Sequence, residues 1–277
     1  MSVPLFIVDA FTDRAFTGNP AAVCPLEAPA PEAWMQRLAI EMNLSETVYL
    51  WPEPESDADF RIRWFTPGRE VNLCGHATLA ASHALYETGR APENRPIRFA
   101  SRSGPLAATR RAEGRIALDF PARPAPAGEI PAVLAPQLEG AETFLDGGEK
   151  LVAVFPAERD VADFAPDLVA IERCASEGLV VTAPSDDGAT HFVSRFFAPA
   201  VGIAEDPVCG SAHCVLAPYW AGRLGLDSMT ARQLSPRGGI VHVELRGDRV
   251  TLAGRAVTTL RGELAPAARP EAIAEPA

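Results

Sequence analysis

Basic residues are in short supply in this chain: 25 lysines and arginines stand against 36 acidic residues, for a formal net charge of -11. With no local Lys/Arg run to compensate, the chain has no basic face that could follow a phosphate backbone, so nucleic acid is not an expected partner. Long apolar runs are missing too. No stretch approaches the roughly 18 consecutive apolar residues of a membrane span, and the opening MSVPLFIVDAF has neither a basic n-region nor a small-residue cleavage site. The expectation is a cytoplasmic protein that does not engage a membrane. Cysteine is sparse and odd in number: Cys24, Cys74, Cys174, Cys209 and Cys214 include no C-x-x-C pair and no zinc-type Cys/His spacing. They read as free thiols, with no metal and no disulfide framework expected.

What is present is length and apolar content. A chain of 277 residues, 47% hydrophobic, can bury one large core or two of ordinary domain size. It also repeats itself once. Arg63-Trp64-Phe65-Thr66-Pro67 matches Arg195-Phe196-Phe197-Ala198-Pro199 at an offset of 132, and each is followed by a short loop and then Cys-Gly, Cys74-Gly75 and Cys209-Gly210, at an offset of 135. Upstream, a helical period carried by Trp34, Leu38 and Met42 runs into the strand-like Thr47-Val48-Tyr49-Leu50. Its partner has Leu168, Ile171 and Ala175 ahead of Leu179-Val180-Val181. Downstream, Gly114-Arg115-Ile116-Ala117-Leu118 pairs with Asp248-Arg249-Val250-Thr251-Leu252, each after a Gly-bearing hairpin turn.

These segments predict an α+β fold of two pseudosymmetric lobes with mainly antiparallel sheet. The N-terminal lobe spans 1–121, completed by a C-terminal strand near 257–264. A Pro/Ala-rich linker, PARPAPAGEIP, occupies 122–132 with its first proline at 121, the C-terminal lobe spans 133–256, and a frayed tail covers 265–277.

The chemistry is expected where each repeat delivers a cysteine directly before a small-residue helix, Cys74-Gly75-His76-Ala77 and Cys209-Gly210-Ser211-Ala212. First-turn N–H groups at Gly75, and at Gly210 and Ser211, lack intrahelical partners and sit at the positive dipole end, which suits a carboxylate. If the halves face each other, both ends and both thiols surround one small carboxylate-bearing metabolite. A thiol so placed is expected to have its pKa lowered, and two such thiols describe a one-proton racemase. The plain alternative is two buried thiols that happen to precede helices. Cys24, Cys174 and Cys214 lack this context and are assigned to the core.

A second constellation breaks the symmetry. The first repeat reads Asn43-Leu44-Ser45-Glu46-Thr47 between helix and strand, and the equivalent position of the second is near Gly178, with no acid. A carboxylate buried at a strand start is costly unless used or paired, and burial would raise its pKa as a general acid/base requires. A solvated Glu at a helix end explains the spacing equally well. The second repeat carries Glu205-Asp206-Pro207 where the first has Glu70-Val71-Asn72, which makes Asp206 and His76 candidates for proton handling at the ligand. His83 and His213 fall in predicted helices, and His191 and His242 in predicted strands, so core or surface roles are expected for them.

Taken together, Val8-Asp9-Ala10-Phe11-Thr12 with Gly18-Asn19-Pro20, Asn43-Leu44-Ser45-Glu46-Thr47, Cys74-Gly75-His76-Ala77-Thr78, Glu205-Asp206-Pro207-Val208-Cys209-Gly210-Ser211 and Ser235-Pro236-Arg237-Gly238-Gly239 resemble the PhzF-like family, named for an isomerase of phenazine biosynthesis, over nearly the whole chain. The resemblance implies the fold of diaminopimelate epimerase, with a curved sheet around a central helix in each lobe, and usually a homodimer. It also implies a cofactor-independent allylic proton shift in which Glu46 is the general acid/base. His76 and Asp206 then support it, Gly75, Gly210 and Ser211 bind the ligand, and Asn19 joins them through its motif. The chain departs from the phenazine enzyme in keeping both Cys74 and Cys209, where the epimerase has its catalytic pair. The leading expectation is a Glu46 isomerase, the alternative a two-thiol racemase or epimerase, and the third a non-catalytic binding homologue.

Overall fold

A computed structural model of the chain describes residues 2–54, 56–174 and 176–272. In chain order it runs β1 (Pro4–Ala10), β2 (Asn19–Pro25), α1 (Glu32–Met42), β3 (Glu46–Pro52), β4 (Phe60–Phe65), β5 (Glu70–Val71), α2 (Gly75–Glu87), β6 (Ile97–Ser101), β7 (Gly104–Arg110) and β8 (Ile116–Pro121). It continues through β9 (Thr143–Asp146), β10 (Lys150–Val154), α3 (Glu158–Ala162), α4 (Leu168–Glu172), β11 (Gly178–Pro184), β12 (Phe192–Ala198), β13 (Ile203–Asp206), α5 (Gly210–Leu224), β14 (Ser228–Gln233), β15 (Gly239–Arg246) and β16 (Arg249–Gly254). The last strand, β17 (Ala256–Glu263), pairs antiparallel with β1. The chain separates into two compact units, Met1–Leu118 with Gly254–Ala277, and Asp119–Ala253.

The fold is sheet-dominated α+β, as the alternating patterns indicated. Most strand pairs are antiparallel, but β2 with β3, β4 with β6, β10 with β11 and β12 with β14 run parallel. Each parallel pair is bridged by helix, because parallel neighbours need a crossover that a hairpin cannot supply. In the first unit α1 joins β2 to β3, and α2 joins the β4/β5 hairpin to β6.

The helix α2 is buried over most of its surface. Ala77, Leu79, Ala80, Ala81, Ala84 and Leu85 are all fully buried, the condition of a helix enclosed by other elements. It packs on β1, β2, β3, β7 and β17, so the sheet surrounds it. Its two buried hydroxyls turn back on the helix, Thr78 Oγ1 donating to the Cys74 carbonyl at 2.6 Å and Ser82 Oγ to the Thr78 carbonyl at 2.7 Å. Trp34, Met35 and Leu38 of α1 join Tyr49 and Phe65 in a separate core of this unit. In the second unit Leu151, Ile171, Leu179, Val181 and Phe197 form the corresponding core.

The two repeats share their register. Ala22 pairs with Thr47 and Thr47 with Phe65 in the first unit; Leu151 pairs with Leu179 and Leu179 with Phe197 in the second. Arg63 grips Glu70 with two hydrogen bonds of 2.6 Å, and Arg195 grips Glu205 at 2.7 and 3.0 Å. Both guanidinium groups lie over the following phenylalanine, 5.1 Å from the Phe65 ring centre and 4.8 Å from that of Phe197.

Three segments differ from their sequence expectations. The helical period through Leu168 and Ile171 yields only the short α4, capped by Asp167 Oδ1 accepting from Ala170 N, because Pro166 stops any extension backward from it; Ala175 lies outside the described residues. The Pro/Ala-rich stretch is pinned to the second unit, with Ala122 N donating to the Asp248 carbonyl, Arg123 N to Cys214 and Gly128 N to Phe144. Nor is the tail frayed as far as 272. Leu264 is buried, Trp34 Nε1 donates to the Ala268 carbonyl at 2.9 Å, and two short 3-10 turns follow Ala265.

Candidate active site

The turn between β1 and β2 fixes the first site residue. Gly18 has φ +69°, and a Cβ there would stand 2.2 Å from the Ala10 carbonyl oxygen, so only glycine fits. Asp9, itself buried, accepts the Phe16 N–H at 2.7 Å and tightens the same turn. Asn19 follows as the first residue of β2, fully buried.

Glu46 opens β3, after Asn43 ends α1 in the left-handed conformation. It is 9% exposed, and its Oε2 lies 3.0 Å from Nε2 of His76, the second residue of α2, which is 5% exposed. The contact couples the two charges but is off the line of a hydrogen bond, so both atoms keep unused bonding capacity inside the protein. The opposite edge of the ring is occupied. Asn19 Nδ2 stands 3.2 Å from His76 Nδ1, and Ser45 Oγ donates to Asn19 Oδ1 at 3.2 Å, which turns the amide so that its NH2 faces the ring. When the ring is neutral, an NH2 group aimed at Nδ1 leaves its proton on Nε2, facing Glu46.

Cys74 is the N-cap of α2 and brings its sulfur 3.5 Å from His76 Nδ1. Burial works against a charged His76, but Cys74 and Glu46, on its two edges, outweigh it and hold its pKa above the ordinary histidine value. For Cys74 the sequence expectation is overturned. Burial, followed by the Glu46 charge, pushes the thiol up rather than down, and His76, with the Ala77 N–H at the helix start behind it, only partly offsets this. The same holds for Cys209, raised by burial and by Asp206 against the smaller pull of Lys150. A sulfur stripped of water loses more as a thiolate than one helix end returns.

The structure therefore brings Asn19, Glu46, Cys74, Gly75 and His76 together in the first unit. In the second it gathers Asp206, Cys209, Gly210 and Ser211 at the start of α5. There Gln233, buried, accepts the Cys209 N–H at 2.9 Å and donates to the Asp206 carbonyl at 2.6 Å, locking the loop onto the helix end. Cys209 Sγ lies 3.3 Å from Ser211 Oγ. Sequence reasoning missed Ser45, Gln233 and Lys150. Only the last had a usable signal: the 25 basic residues are 24 arginines and this one lysine. His213, assigned to the core, is there, fully buried with Nδ1 2.7 Å from the Cys209 carbonyl oxygen.

Glu46, Cys74 and His76 each place a donor atom within 4.8 Å of the others, a set that divalent zinc accepts. Glu46 and Cys74 approach opposite nitrogens of the imidazole, however. One ion in the plane of one ring nitrogen would not reach both without rearrangement.

A buried carboxylate at the start of β3 stands beside an imidazole at the start of α2, a pair able to pass a proton between them, and the isomerase class follows from the relatives of the chain. The chain belongs to the phenazine biosynthesis-like protein family, whose PhzC-PhzF model matches residues 8–262. It is 43% identical over 267 residues to an uncharacterized isomerase of Halalkalibacterium halodurans, spanning 95% of this chain and 99% of that one. A human phenazine biosynthesis-like domain-containing protein is 40% identical over the same shares of each chain. The crystal structure of a PhzF-family phenazine biosynthesis protein from Enterococcus faecalis superimposes with a TM-score of 0.89 at 42% identity, covering 96% of this chain and all of that one. Among the described residues no helix is long and apolar enough to cross a membrane.

Proposed function

We propose that the protein is a cofactor-independent isomerase that moves a proton on a small carboxylate-bearing substrate, with Glu46 as the general acid/base. The observation that carries this reading is the Glu46 carboxylate oxygen 3.0 Å from His76 Nε2, both nearly buried and neither aligned to the other. Glu46 removes a proton from a carbon next to an unsaturated or carbonyl system and returns it elsewhere. His76, held through Asn19 and Ser45, keeps its N–H beside the carboxylate and stabilises whichever oxygen carries charge. Gly210 and Ser211, at the start of α5, offer first-turn N–H groups that suit a carboxylate.

Incubation with a metabolite extract in D2O identifies the compound that gains mass. Glu46→Gln is expected to abolish that gain, and retained exchange in the variant would remove Glu46 from the role. A two-thiol racemase is the second reading, favoured by the matched N-cap positions of Cys74 and Cys209. It requires Cys74→Ser and Cys209→Ser each to lose activity while Glu46→Gln is mild. The raised thiol pKa values count against it.

A further inference from the structure

The only lysine of the chain is buried. Lys150 is 4% exposed, whereas its 24 basic companions are all arginines. It opens β10, and β10 pairs in parallel with β11 so that Lys150 stands opposite Gly178. In the first unit the same register sets Ala21 opposite Glu46. The second unit thus carries a cation on the neighbouring strand where the first carries its anion. Nor could Gly178 carry an acid: a Cβ there would stand 2.1 Å from the Phe197 carbonyl oxygen, in a strand whose backbone is already paired.

The Lys150 ammonium lies 2.6 Å from Glu177 Oε2 and 5.5 Å from the centre of the Phe196 ring, and it is close enough to Cys209 for each to bias the other's ionisation. Burial pulls the ammonium down, but Cys209 and Glu177 outweigh it and leave it above the ordinary lysine value. It is a cation at neutral pH. Among the described residues its close ion-pair partner is Glu177, 44% exposed, a carboxylate at the solvent edge of a buried charge. Ser211, on the other side of Cys209, is exposed as well.

We propose that Lys150 is a specificity residue that binds the ligand's carboxylate beside Cys209, the ligand replacing Glu177 as the partner of the ammonium. A compact ammonium can change its partner by a small rotation, which a planar guanidinium locked in a two-bond grip cannot, and this accounts for a lysine in a chain that otherwise uses arginine. The inference rests on the proposed function only for the statement that the ligand carries a carboxylate.

Two alkylating probes of nearly equal size test it, iodoacetate and iodoacetamide, with labelling of each cysteine followed by mass spectrometry. In both, the thiolate sulfur displaces iodide, so the ratio of the two rates cancels thiol pKa and accessibility and reports only attraction for the carboxylate. In the wild-type protein the iodoacetate-to-iodoacetamide ratio at Cys209 is expected to exceed that at Cys74, which faces Glu46, by about tenfold or more. Lys150→Met and Lys150→Gln should bring the Cys209 ratio down to the Cys74 value. Equal ratios in the wild type, a Cys209 ratio unchanged in either variant, or a Cys209 that neither reagent modifies would each overturn the proposal. The wild-type comparison stands even if a variant does not fold. No turnover is needed, so failure here leaves the deuterium test of Glu46 intact, and failure of Glu46 leaves the labelling ratio intact.

Discussion

The two units carry one scaffold and opposite chemistry. At the start of each enclosed helix a cysteine caps the first turn, and the residue two positions on touches its sulfur, His76 at 3.5 Å in the first unit and Ser211 at 3.3 Å in the second. Two positions further, Thr78 and His213 both bond the capping residue's carbonyl oxygen, at 2.6 and 2.7 Å. The backbone geometry has been kept while the charges have been exchanged. Glu46 stands where the second unit has Gly178, Lys150 where the first has Ala21, and Asp206 where the first has Val71. A scaffold of this kind supplies two helix ends, and the side chains around each end decide what it does.

The sharpest way to break this comparison is to remove the first unit's acid. Glu46→Gln keeps shape and volume, so the fold and the Lys150 contacts should survive while solvent exchange into substrate falls about 10²- to 10⁴-fold, the range expected when a general acid/base is lost. If exchange falls less than tenfold, the assignment of Glu46 as the general acid/base fails.

The next effect separates His213 from its counterpart Thr78. Burial, only partly offset by the Cys209 carbonyl, depresses the His213 pKa to about 4. A histidine kept neutral by the fold stabilises it above the unfolded value of about 6.5, and that contribution is lost as the pH falls from there toward 4. The loss should reach roughly 3 kcal/mol. Urea melts at pH 7 and pH 4 measure it, and His213→Thr, which installs the first unit's residue, should remove most of this acid sensitivity. An equally steep loss in the variant would place the acid sensitivity elsewhere.

Gly178 tests whether the asymmetry is built into the backbone. Gly178→Ala forces a methyl group against the Phe197 carbonyl, and it should cost about 1–3 kcal/mol, as overpacking does. A neutral Gly178→Ala in a thermal melt would mean that the second unit could have held an acid and that its absence is not steric.

Much of this architecture was legible from the chain because the repeat places the same residue types at nearly constant spacing. Arg63 and Arg195, Cys74 and Cys209, and the turns at Gly114 and Gly247 locate matching strands and helix starts from the residues alone. Burial was not legible. The helix-end argument for a lowered thiol pKa at Cys74 considered the dipole and not the loss of water, which depends on β-strands far away in sequence. Asn19 could be placed near the site by its motif, but its grip on His76 depends on a register between β2 and α2 that no local pattern encodes. Lys150 was overlooked for a different reason. A single lysine looks like surface charge until strand pairing sets it opposite Gly178.

The smallest contrast concerns the two arginines, which the repeat pattern presents as equivalent. Both grip a glutamate, but their remaining bonds differ. Arg63 reaches Glu32, a 62% exposed carboxylate that water can replace. Arg195 instead directs Nη1 at the carbonyl oxygens of Val161, Ala162 and Phe164, at 3.2, 3.2 and 2.8 Å, and so ties the chain between α3 and α4 to β12. Replacement by lysine keeps the charge in both units but loses the fork. Arg63→Lys should therefore cost about 1 kcal/mol, whereas Arg195→Lys leaves carbonyl acceptors short of a donor and should cost about 2 kcal/mol. Hydrogen exchange distinguishes the cause as well as the size. Faster exchange confined to residues around α3 and α4 in Arg195→Lys, with no matching change around α1 in Arg63→Lys, is the expected pattern. Equal losses in both would mean that the glutamate grip alone sets the energy and that the repeats are energetically symmetric at this point.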